Sequence, residues 1–417
     1  MASASEKAGL GPKGLVLALI GLAVVVAALL WWKSQARDRA RAQLVSAYGA
    51  TIEPSREGEG WDVVLNHESL RDFSDVADLL VKAGPVKALD LSGAQNLASL
   101  QGVSRLSSLV SLIAISCPSL GSLDGVSDLP DLIEVVVQEN GALTSLDGLR
   151  DLPALVNLDA GNCAALKSVS LAGVPHVENL YLSNCESLKS LDVSAAKGLH
   201  QLFMDGCRSL PEITGLEQLT ALTDLDLSTC HSLKHLNGLG KLSSLVMLNV
   251  RNTGEIDSLS EIGALKSLEG LQLGGRPELT DLTPFTGLER LTELHVEACV
   301  NLKSLRGFPP SVTGFAAVTH CPALESIEGI EAASGLQRLD LSGCDRIASL
   351  EPLAKLASLQ EINLGGCRGV TDPSIFARLP ALQIVQLGGS GIPMARLTEL
   401  RKAQPEVIFD FSTESTQ

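Results

Sequence analysis

A single motif recurs through most of this 417-residue chain. With Leu339-x-Leu341-x-x-Cys344-x-x-Ile347 as the frame, the position of Cys344 occurs fourteen times, at ten spacings of 23 residues and three of 22. A repeat of this length is one supersecondary unit that cannot bury its apolar side alone, so the units must stack on one another. The fourteen positions are Ala94, Cys117, Asn140, Cys163, Cys185, Cys207, Cys230, Thr253, Arg276, Cys299, Cys321, Cys344, Cys367 and Ser390.

The composition agrees with a stacked aliphatic core. The chain has 75 leucines but only 13 aromatic residues (3 Trp, 2 Tyr and 8 Phe), and 45% of its residues are hydrophobic. That apolar content excludes a disordered chain, and the scarcity of rings disfavours an ordinary enzyme core. The net charge of −16 disfavours a protein that binds nucleic acid through an overall basic surface.

The segment LQRLDLSGC (Leu336–Cys344) resembles the LxxLxLxx(N/C) motif of the leucine-rich-repeat family, and the resemblance extends over about residues 87–411. The period is similar to that of the short-repeat bacterial type. The position of Cys344, which we call the ladder position, is similar to that of cysteine-containing repeats. The resemblance implies an α/β solenoid: a right-handed arc with a parallel β-sheet on its concave side and turns or short 3₁₀ segments on its convex side. We assign about fourteen repeats to residues 87–390.

The N-terminal region contains one uncharged segment of 19 residues, 14–32, between Lys13 and Lys33. As a helix it would be about 28 Å long, close to the hydrocarbon thickness of a bilayer. Trp31, Trp32 and Lys33 would lie at the membrane–water interface, which indoles favour. We therefore predict a transmembrane anchor. The alternative is a cleaved signal peptide, but no small-x-small site follows the apolar run.

Basic residues flank the predicted anchor on both sides. Residues 1–41 carry six basic and two acidic residues, a net charge of +4, with four of the basic residues after the apolar run. The positive-inside rule then leans towards a cytoplasmic repeat domain, with a periplasmic or extracellular one as the alternative. We expect a single-pass protein of a bacterial inner or plasma membrane.

The remaining segments flank or cap the repeats. We predict an N-terminal tail (1–13), a juxtamembrane helix and linker (33–60), an N-terminal cap (61–86), a C-terminal cap (391–411) and a tail (412–417). The N-terminal cap combines a strand at Trp61–Asn66 with an amphipathic helix at Glu68–Ala83, and the C-terminal cap a helix at Met394–Ala403 with a strand at Val407–Phe411. Such caps shield the open ends of a repeat array.

All nine cysteines occupy the ladder position of the repeat. This position follows the strand, where a small side chain can be buried and can bond the backbone of the turn. Side chains stacked in a row point the same way and do not converge, which disfavours disulfides and a zinc site. The sequence therefore predicts a structural ladder: Cys117, Asn140, Cys163, Cys185, Cys207, Cys230, Cys299, Cys321, Cys344 and Cys367.

Catalysis has no recognisable motif in this sequence. The seven histidines are scattered, and no nucleophile elbow, phosphate-binding loop or metalloprotease motif occurs. We expect no enzymatic activity, no catalytic residue, no cofactor and no metal.

Binding is expected on the concave face. Three positions per repeat, lying six, four and two residues before the ladder position, give 42 outward residues, of which ten are acidic and two basic. A negative face favours a protein or peptide partner with a basic surface and disfavours nucleic acid. Exposed aromatic and apolar residues beside charges are typical of binding hot spots. The candidate binding residues are Ile113, Ile115, Val136, Asp159, Tyr181, Phe203, Asp205, Asp226, Met247 and Arg251.

These observations predict a membrane-tethered scaffold that recognises a protein or peptide on its acidic concave face. Two alternatives stay open. The repeats can recruit substrate for an enzyme or effector, or they can serve as a spacer in a membrane or secretion assembly, with contacts along their flanks.

Overall fold

The structure is a computed structural model that describes residues 12–254 and 259–412, with side-chain positions from residue 22 onwards except residue 24. Within these residues the chain forms one long sheet, a short second sheet and three α-helices. The N-terminal elements are α1 (Pro12–Tyr48), β1 (Thr51–Pro54), β2 (Trp61–Val64) and α2 (Ser74–Ala83).

The long sheet has seventeen strands, and one strand per coil continues it. β1 pairs antiparallel with β2, and every later neighbour is parallel in chain order. The strands that follow β2 are β3 (Val86–Asp90), β4 (Ser111–Ile113), β5 (Glu134–Val136), β6 (Asn157–Asp159), β8 (Asn179–Tyr181), β10 (Gln201–Phe203), β11 (Asp224–Asp226), β12 (Met247–Arg251), β13 (Gly270–Gly274), β14 (Glu293–Glu297), β15 (Phe315–Thr319), β16 (Arg338–Asp340), β17 (Glu361–Asn363), β18 (Ile384–Gln386) and β19 (Ile408–Asp410).

The return path of each coil forms the opposite layer. Most of it consists of turns and 3₁₀ helices, as the repeat type implied, but β7 (Ser168–Ser170) and β9 (Ser190–Asp192) pair there as a second, two-stranded parallel sheet. The 3₁₀ helices are Val103–Arg105, Leu216–Gln218, Leu239–Lys241, Leu259–Ala264, Thr283–Phe285, Ile330–Ala332, Glu351–Lys355 and Ser374–Arg378.

The core is a column of aliphatic side chains between the two layers. The central residue of each three-residue strand is buried, and the register places these residues beside one another, as in Leu158, Leu180, Leu202 and Leu225. Burying a leucine side chain stabilises the fold by about 1.5–3 kcal/mol, and the column repeats this gain in every coil. These features define a leucine-rich-repeat solenoid.

The N-terminal region, which includes the predicted juxtamembrane helix, packs on the folded domain. α1 is one continuous helix that runs from the predicted anchor to Tyr48, and Ala40 and Leu44 are buried against the folded domain. The Arg41 guanidinium donates to the Ala83 carbonyl at 2.8 and 3.0 Å and lies 3.9 Å from the ring centroid of Trp61. Residues 33–60 therefore contain a helix and β1 packed on the solenoid. The mixed charge of this segment does not indicate the burial of Ala40 and Leu44 or the contacts of Arg41 with Ala83 and Trp61.

Within the described residues, no helix combines the length and the apolar character required to cross a membrane. The predicted anchor, residues 14–32, falls on α1, and its side chains at 14–21 and 24 lie outside the described residues. Of the predicted interface residues, Trp31, Trp32 and Lys33 are all exposed on α1, with the two indoles 67% and 63% exposed.

At the other end, α3 (Met394–Ala403) precedes the last strand, β19, which pairs with β18. Phe409 of β19 is buried and lies 6.3 Å from Phe376, centroid to centroid. The Arg401 guanidinium donates to the Phe409 carbonyl at 2.7 Å and so fixes the helix on the strand.

Candidate functional site

The exposed face of the long sheet is the candidate site, and we refer to it as the concave face because it corresponds to that side of a leucine-rich-repeat solenoid. Side chains alternate across a strand, so each residue that flanks a buried central leucine points away from the core. In most three-residue strands of the long sheet these flanking residues are half-buried, and Met247 is exposed. The face therefore presents partly exposed side chains along most of the long sheet.

The register brings six of the predicted binding residues into one row. Neighbouring strands pair these residues in order, from the N-terminal end towards the middle of the sheet. In this row, two apolar residues and two aromatic residues lie on either side of one carboxylate. The row is Ile113, Val136, Asp159, Tyr181, Phe203 and Asp226. Ile115 lies just beyond β4 and is half-buried.

Tyr181 and Phe203 form a stacked pair at the centre of this row. Their ring centroids are 5.5 Å apart and the ring planes differ by 6°. The Tyr181 hydroxyl donates to Gln201 Oε1 at 2.8 Å, which holds the ring above its neighbouring strand. Both residues are half-buried, so each ring is positioned by the sheet and still has surface available for contact.

Four carboxylates surround the aromatic pair: Asp159, Asp205, Asp224 and Asp226. Each accepts hydrogen bonds from neutral donors, such as Gln138 Nε2 to Asp159 at 2.5 Å, Thr223 Oγ1 to Asp224 at 2.7 Å and Asn249 Nδ2 to Asp226 at 2.9 Å; Ser183 donates to Asp205. Partial burial raises the pKa of Tyr181, and the charges of Asp159 and Asp224 raise it further. The surroundings of the rings are therefore strongly negative.

Part of the acidic excess also shapes the strand ends. Asp159 accepts the amide of Gly161 at 3.0 Å, and Asp226 accepts the amide of Ser228 at 2.8 Å. Asp90 and Asp340 make the same bond to the amide two residues on. Such Asx bonds satisfy backbone donors where the strand ends. These aspartates thus have a structural role, and their charge remains on the concave face.

Met247 and Arg251 lie further along the sheet, and both extend across β13. This strand has glycine at the two positions that pair with them, Gly270 and Gly274, so their side chains cross it without obstruction. Arg251 reaches Glu297 on the following strand and forms an ion pair with it. Arg251 is therefore already paired with an acid of its own chain.

The structure adds a second aromatic cluster that the sequence analysis did not single out. Phe315 contacts His295 edge to face at a centroid distance of 5.1 Å, and the Arg338 guanidinium lies 5.2 Å from the Phe315 ring centroid. Burial lowers the pKa of His295, Glu293 raises it, and Arg251 lowers it. Phe315 lies six residues before Cys321 in the repeat frame, so its position was available as a signal.

The ladder position is buried in every repeat except the last, and most of its side chains link successive coils. Seven of the nine thiols donate to the carbonyl three residues before the ladder position of the preceding repeat. Examples are Cys163 to Val137 at 3.1 Å and Cys207 to Leu182 at 3.2 Å. The thiols of Cys299 and Cys321 instead donate within their own repeat, to the carbonyls of Glu297 at 3.6 Å and Thr319 at 3.4 Å. All nine cysteines are buried and unpaired, and the described residues include no group of three or more His, Cys, Asp or Glu side chains able to hold a metal ion. The structural role of the ladder residues stays a prediction.

Asn140 and Arg276 make the same connection with more bonds. Asn140 donates to the Ala114 carbonyl at 2.8 Å and accepts the Cys117 amide at 2.8 Å. Arg276, 1% exposed, donates to the carbonyls of Val250 and Gly254, the second at 2.7 Å. The sequence shows that an arginine occupies this position. It does not show that the guanidinium donates to the Val250 carbonyl, which is equivalent to the carbonyl that most of the cysteine thiols use in other repeats.

Comparison with known proteins agrees at the level of the fold. An internalin from Listeria monocytogenes is similar over 85% of this chain and 91% of its own, with a TM-score of 0.52 and 18% identity. A leucine-rich-repeat protein from Leptospira interrogans covers 82% of this chain and 99% of its own (TM-score 0.42, 20% identity). The functional domain of InlJ from Listeria monocytogenes, which includes a cysteine ladder, is similar over 73% of this chain and 63% of its own (TM-score 0.43, 17% identity). No protein-family model and no curated protein matches the chain.

Proposed function

We propose that this protein binds a protein or peptide partner on its concave face, with the Tyr181–Phe203 pair as the centre of the contact. The observation that carries the proposal is this stacked, half-buried pair in a row of outward side chains on a continuous sheet. Aromatic residues are enriched in binding hot spots because they bury a large area. A sheet already ordered by its neighbours loses little conformational entropy on binding.

The partner is expected to present a basic surface. Four carboxylates lie around the aromatic pair, and their bonds to neutral donors leave their charge in place. Such a surface steers a basic partner towards it and repels phosphates. The proposal includes no catalytic step and no cofactor, because these carboxylates are distributed along successive strands and do not converge on one point.

Capture of a partner by the purified protein tests this proposal. The double variant Tyr181→Ala with Phe203→Ala should lose at least about tenfold in captured partner, since hot-spot truncations cost about 2 kcal/mol or more. The matched control is Lys189→Ala with Ser190→Ala, at exposed positions in and beside the second sheet, which should capture as the wild type does. Circular dichroism of both variants verifies the fold. Equal capture by all three proteins would contradict a concave-face contact at this pair.

The proposal extends to tethering by α1. It is supported by the uncharged segment 14–32 between two lysines and by the exposure of Trp31 and Trp32. In cell fractionation, the full chain should stay with membranes through alkaline carbonate and dissolve in detergent, whereas a variant without residues 1–33 should be recovered in the supernatant. Recovery of the full chain in the supernatant would contradict tethering. Protease digestion of the C-terminal region in sealed cells and inverted vesicles would then test the expected cytoplasmic side.

A further inference from the structure

The concave face differs in charge balance between its two halves. From β3 to β11 its outward positions carry six acids and no base: Asp90, Glu134, Asp159, Asp205, Asp224 and Asp226. From β12 onwards it carries four acids, Glu293, Glu297, Asp340 and Glu361, together with Arg251 and Arg338. The chain therefore supplies its own cations only to the C-terminal half.

The two aromatic sites show the same difference at the level of contacts. Phe315, in the C-terminal half, has the guanidinium of Arg338 at 5.2 Å from its ring centroid. The chain uses this contact elsewhere, since Arg41 lies over Trp61 at 3.9 Å and Arg401 over Phe411 at 4.5 Å. A cation over a ring is attracted by the negative face of the π system.

The Tyr181–Phe203 pair has the surroundings of such a site without the cation. Among the described residues, no arginine, lysine or histidine forms an ion pair with Asp159, Asp205, Asp224 or Asp226. Stacking covers one face of each ring and leaves its other face uncovered by its partner. The carboxylates retain acceptor capacity, because an ionised carboxylate offers about four lone-pair sites and each of these uses only some of them.

We propose that the Tyr181–Phe203 pair is an arginine-recognition site, which binds a guanidinium group of the partner against an aromatic face while its N–H groups donate to the surrounding aspartates. The inference rests on the proposed function and specifies its partner. Arginine fits better than lysine because its planar guanidinium stacks on a ring and forms bidentate bonds with a carboxylate, whereas an ammonium is a compact and strongly hydrated charge.

The test uses three fluorescein-labelled synthetic peptides that differ only at two central residues: Gly-Ser-Arg-Gly-Arg-Ser-Gly and its lysine and citrulline counterparts. Citrulline keeps the shape of arginine and removes the charge. Fluorescence anisotropy with the full chain in detergent should show the arginine peptide binding at least about tenfold more tightly than the citrulline peptide and about threefold more tightly than the lysine peptide.

Two sets of variants separate the rings from the charges. Tyr181→Leu with Phe203→Leu should lower the affinity for the arginine peptide about tenfold and abolish the preference over lysine, and Asp205→Asn with Asp226→Asn should lower it by a similar factor. Phe315→Leu is the matched control on the same face, outside the proposed site, and should leave the affinity unchanged.

The peptide and capture measurements together distinguish arginine recognition from general electrostatic binding. Equal affinity for the arginine and lysine peptides, unaffected by removal of the rings, would overturn the proposal and leave a general electrostatic surface. Absence of peptide binding, with partner capture that still depends on Tyr181 and Phe203, would overturn arginine recognition and leave the proposed function standing. Absence of both would overturn both.

Discussion

The side chain at the ladder position determines how strongly each coil is joined to the next. Asn140 satisfies three buried backbone groups: the amide of Cys117 and the carbonyls of Ala114 and Val137. A cysteine at the same position in most other repeats donates to the equivalent carbonyl of the preceding coil, as Cys185 does to Ala160 at 3.2 Å. The ladder position therefore connects successive coils through a number of hydrogen bonds that depends on the residue type.

We expect Asn140→Ala to lower the free energy of unfolding by about 3 kcal/mol or more, because a buried polar group without a partner costs about 1–3 kcal/mol. Asn140→Cys should cost about half as much, since a thiol can still donate to Ala114 while the Cys117 amide is left unpaired. Urea unfolding measures both. Lys197→Ala, at an exposed position, is the control and should change stability by less than about 0.5 kcal/mol. Equal losses in the two Asn140 variants would contradict this assignment of bonds.

Burial of the thiols predicts a stability that depends on pH. Burial raises the pKa of Cys163 to about 11 and that of Cys185 to about 12. An unfolded thiol has a pKa of about 8.5, so above that pH the unfolded state loses protons that the folded state keeps. The stabilisation is complete below about pH 8.5 and is lost as the pH rises towards 11 or 12, at about 1.4 kcal/mol per pH unit for each such thiol.

Urea unfolding at pH 7, 8, 9 and 10 should therefore give a constant free energy up to about pH 8 and a steep decline above it. The variant Cys185→Ala should show a decline that is shallower by about one proton between pH 9 and 10. A free energy that stays level to pH 10, or an unchanged slope in the variant, would contradict buried and protonated ladder thiols.

At this scale the sequence predicted positions better than interactions. The period placed every ladder residue and the row of Tyr181 and Phe203, because side-chain direction in a strand follows directly from residue number. It could not show that Arg251 pairs with Glu297, since that contact depends on Gly270 and Gly274 leaving β13 open, nor that Arg338 covers Phe315. Contacts between long side chains on different coils depend on rotamers, which a repeat frame does not specify.

At the scale of elements, the return path takes different forms in different repeats. Two of the three 22-residue repeats, those that end at Cys185 and Cys207, contain the strands β7 and β9, and within the described residues neither contains a 3₁₀ helix. An extended strand advances about 3.3 Å per residue and a 3₁₀ helix about 2.0 Å, so a strand spans the same distance with fewer residues. The shorter spacing is visible in the sequence. The strands β7 and β9 are not, because they form by pairing between neighbouring coils.

Glycines that begin the 3₁₀ helices give a test at this scale. Gly329 precedes the helix Ile330–Ala332 with a φ of +106°, and a Cβ there would overlap the Leu305 carbonyl. We expect Gly329→Ala to lower the free energy of unfolding by about 2 kcal/mol or more, from backbone strain and the clash. Gly141→Ala is the matched control, because a Cβ at Gly141 meets no atom within 4 Å, and its effect should be within about 1 kcal/mol of zero. Similar effects of the two substitutions in urea unfolding would contradict this account.

At the scale of the whole molecule, α1 and the solenoid form a continuous unit. The burial of Ala40 and Leu44 and the bonds from Arg41 to Ala83 fix the helix against α2. The sequence predicted the helix and the cap but separated them by a linker, because the helix–cap contact joins residues about forty apart and involves only a few side chains. The concave face consequently has a defined orientation relative to α1, and tethering by α1 would present it in one direction.

The division of charge also belongs to the whole molecule. The first 41 residues carry a net charge of +4 and the remaining residues −20, and the outward acids without a cation of their own lie in the N-terminal half of the sheet. A basic partner should therefore contact the half nearer to α1. Contact along the flanks, as in a spacer, would not depend on this half of the face.

Site-specific photo-crosslinking in intact cells identifies the surface of this protein that a partner contacts. A photoreactive phenylalanine analogue is placed at Phe203 in the row on the concave face, at Glu361 in the C-terminal half of that face, and at the exposed Ser190 on the second sheet. We expect an abundant crosslinked species from position 203, little from position 361 and none from position 190. Crosslinks of the same species from position 190, with none from position 203, would contradict this expectation.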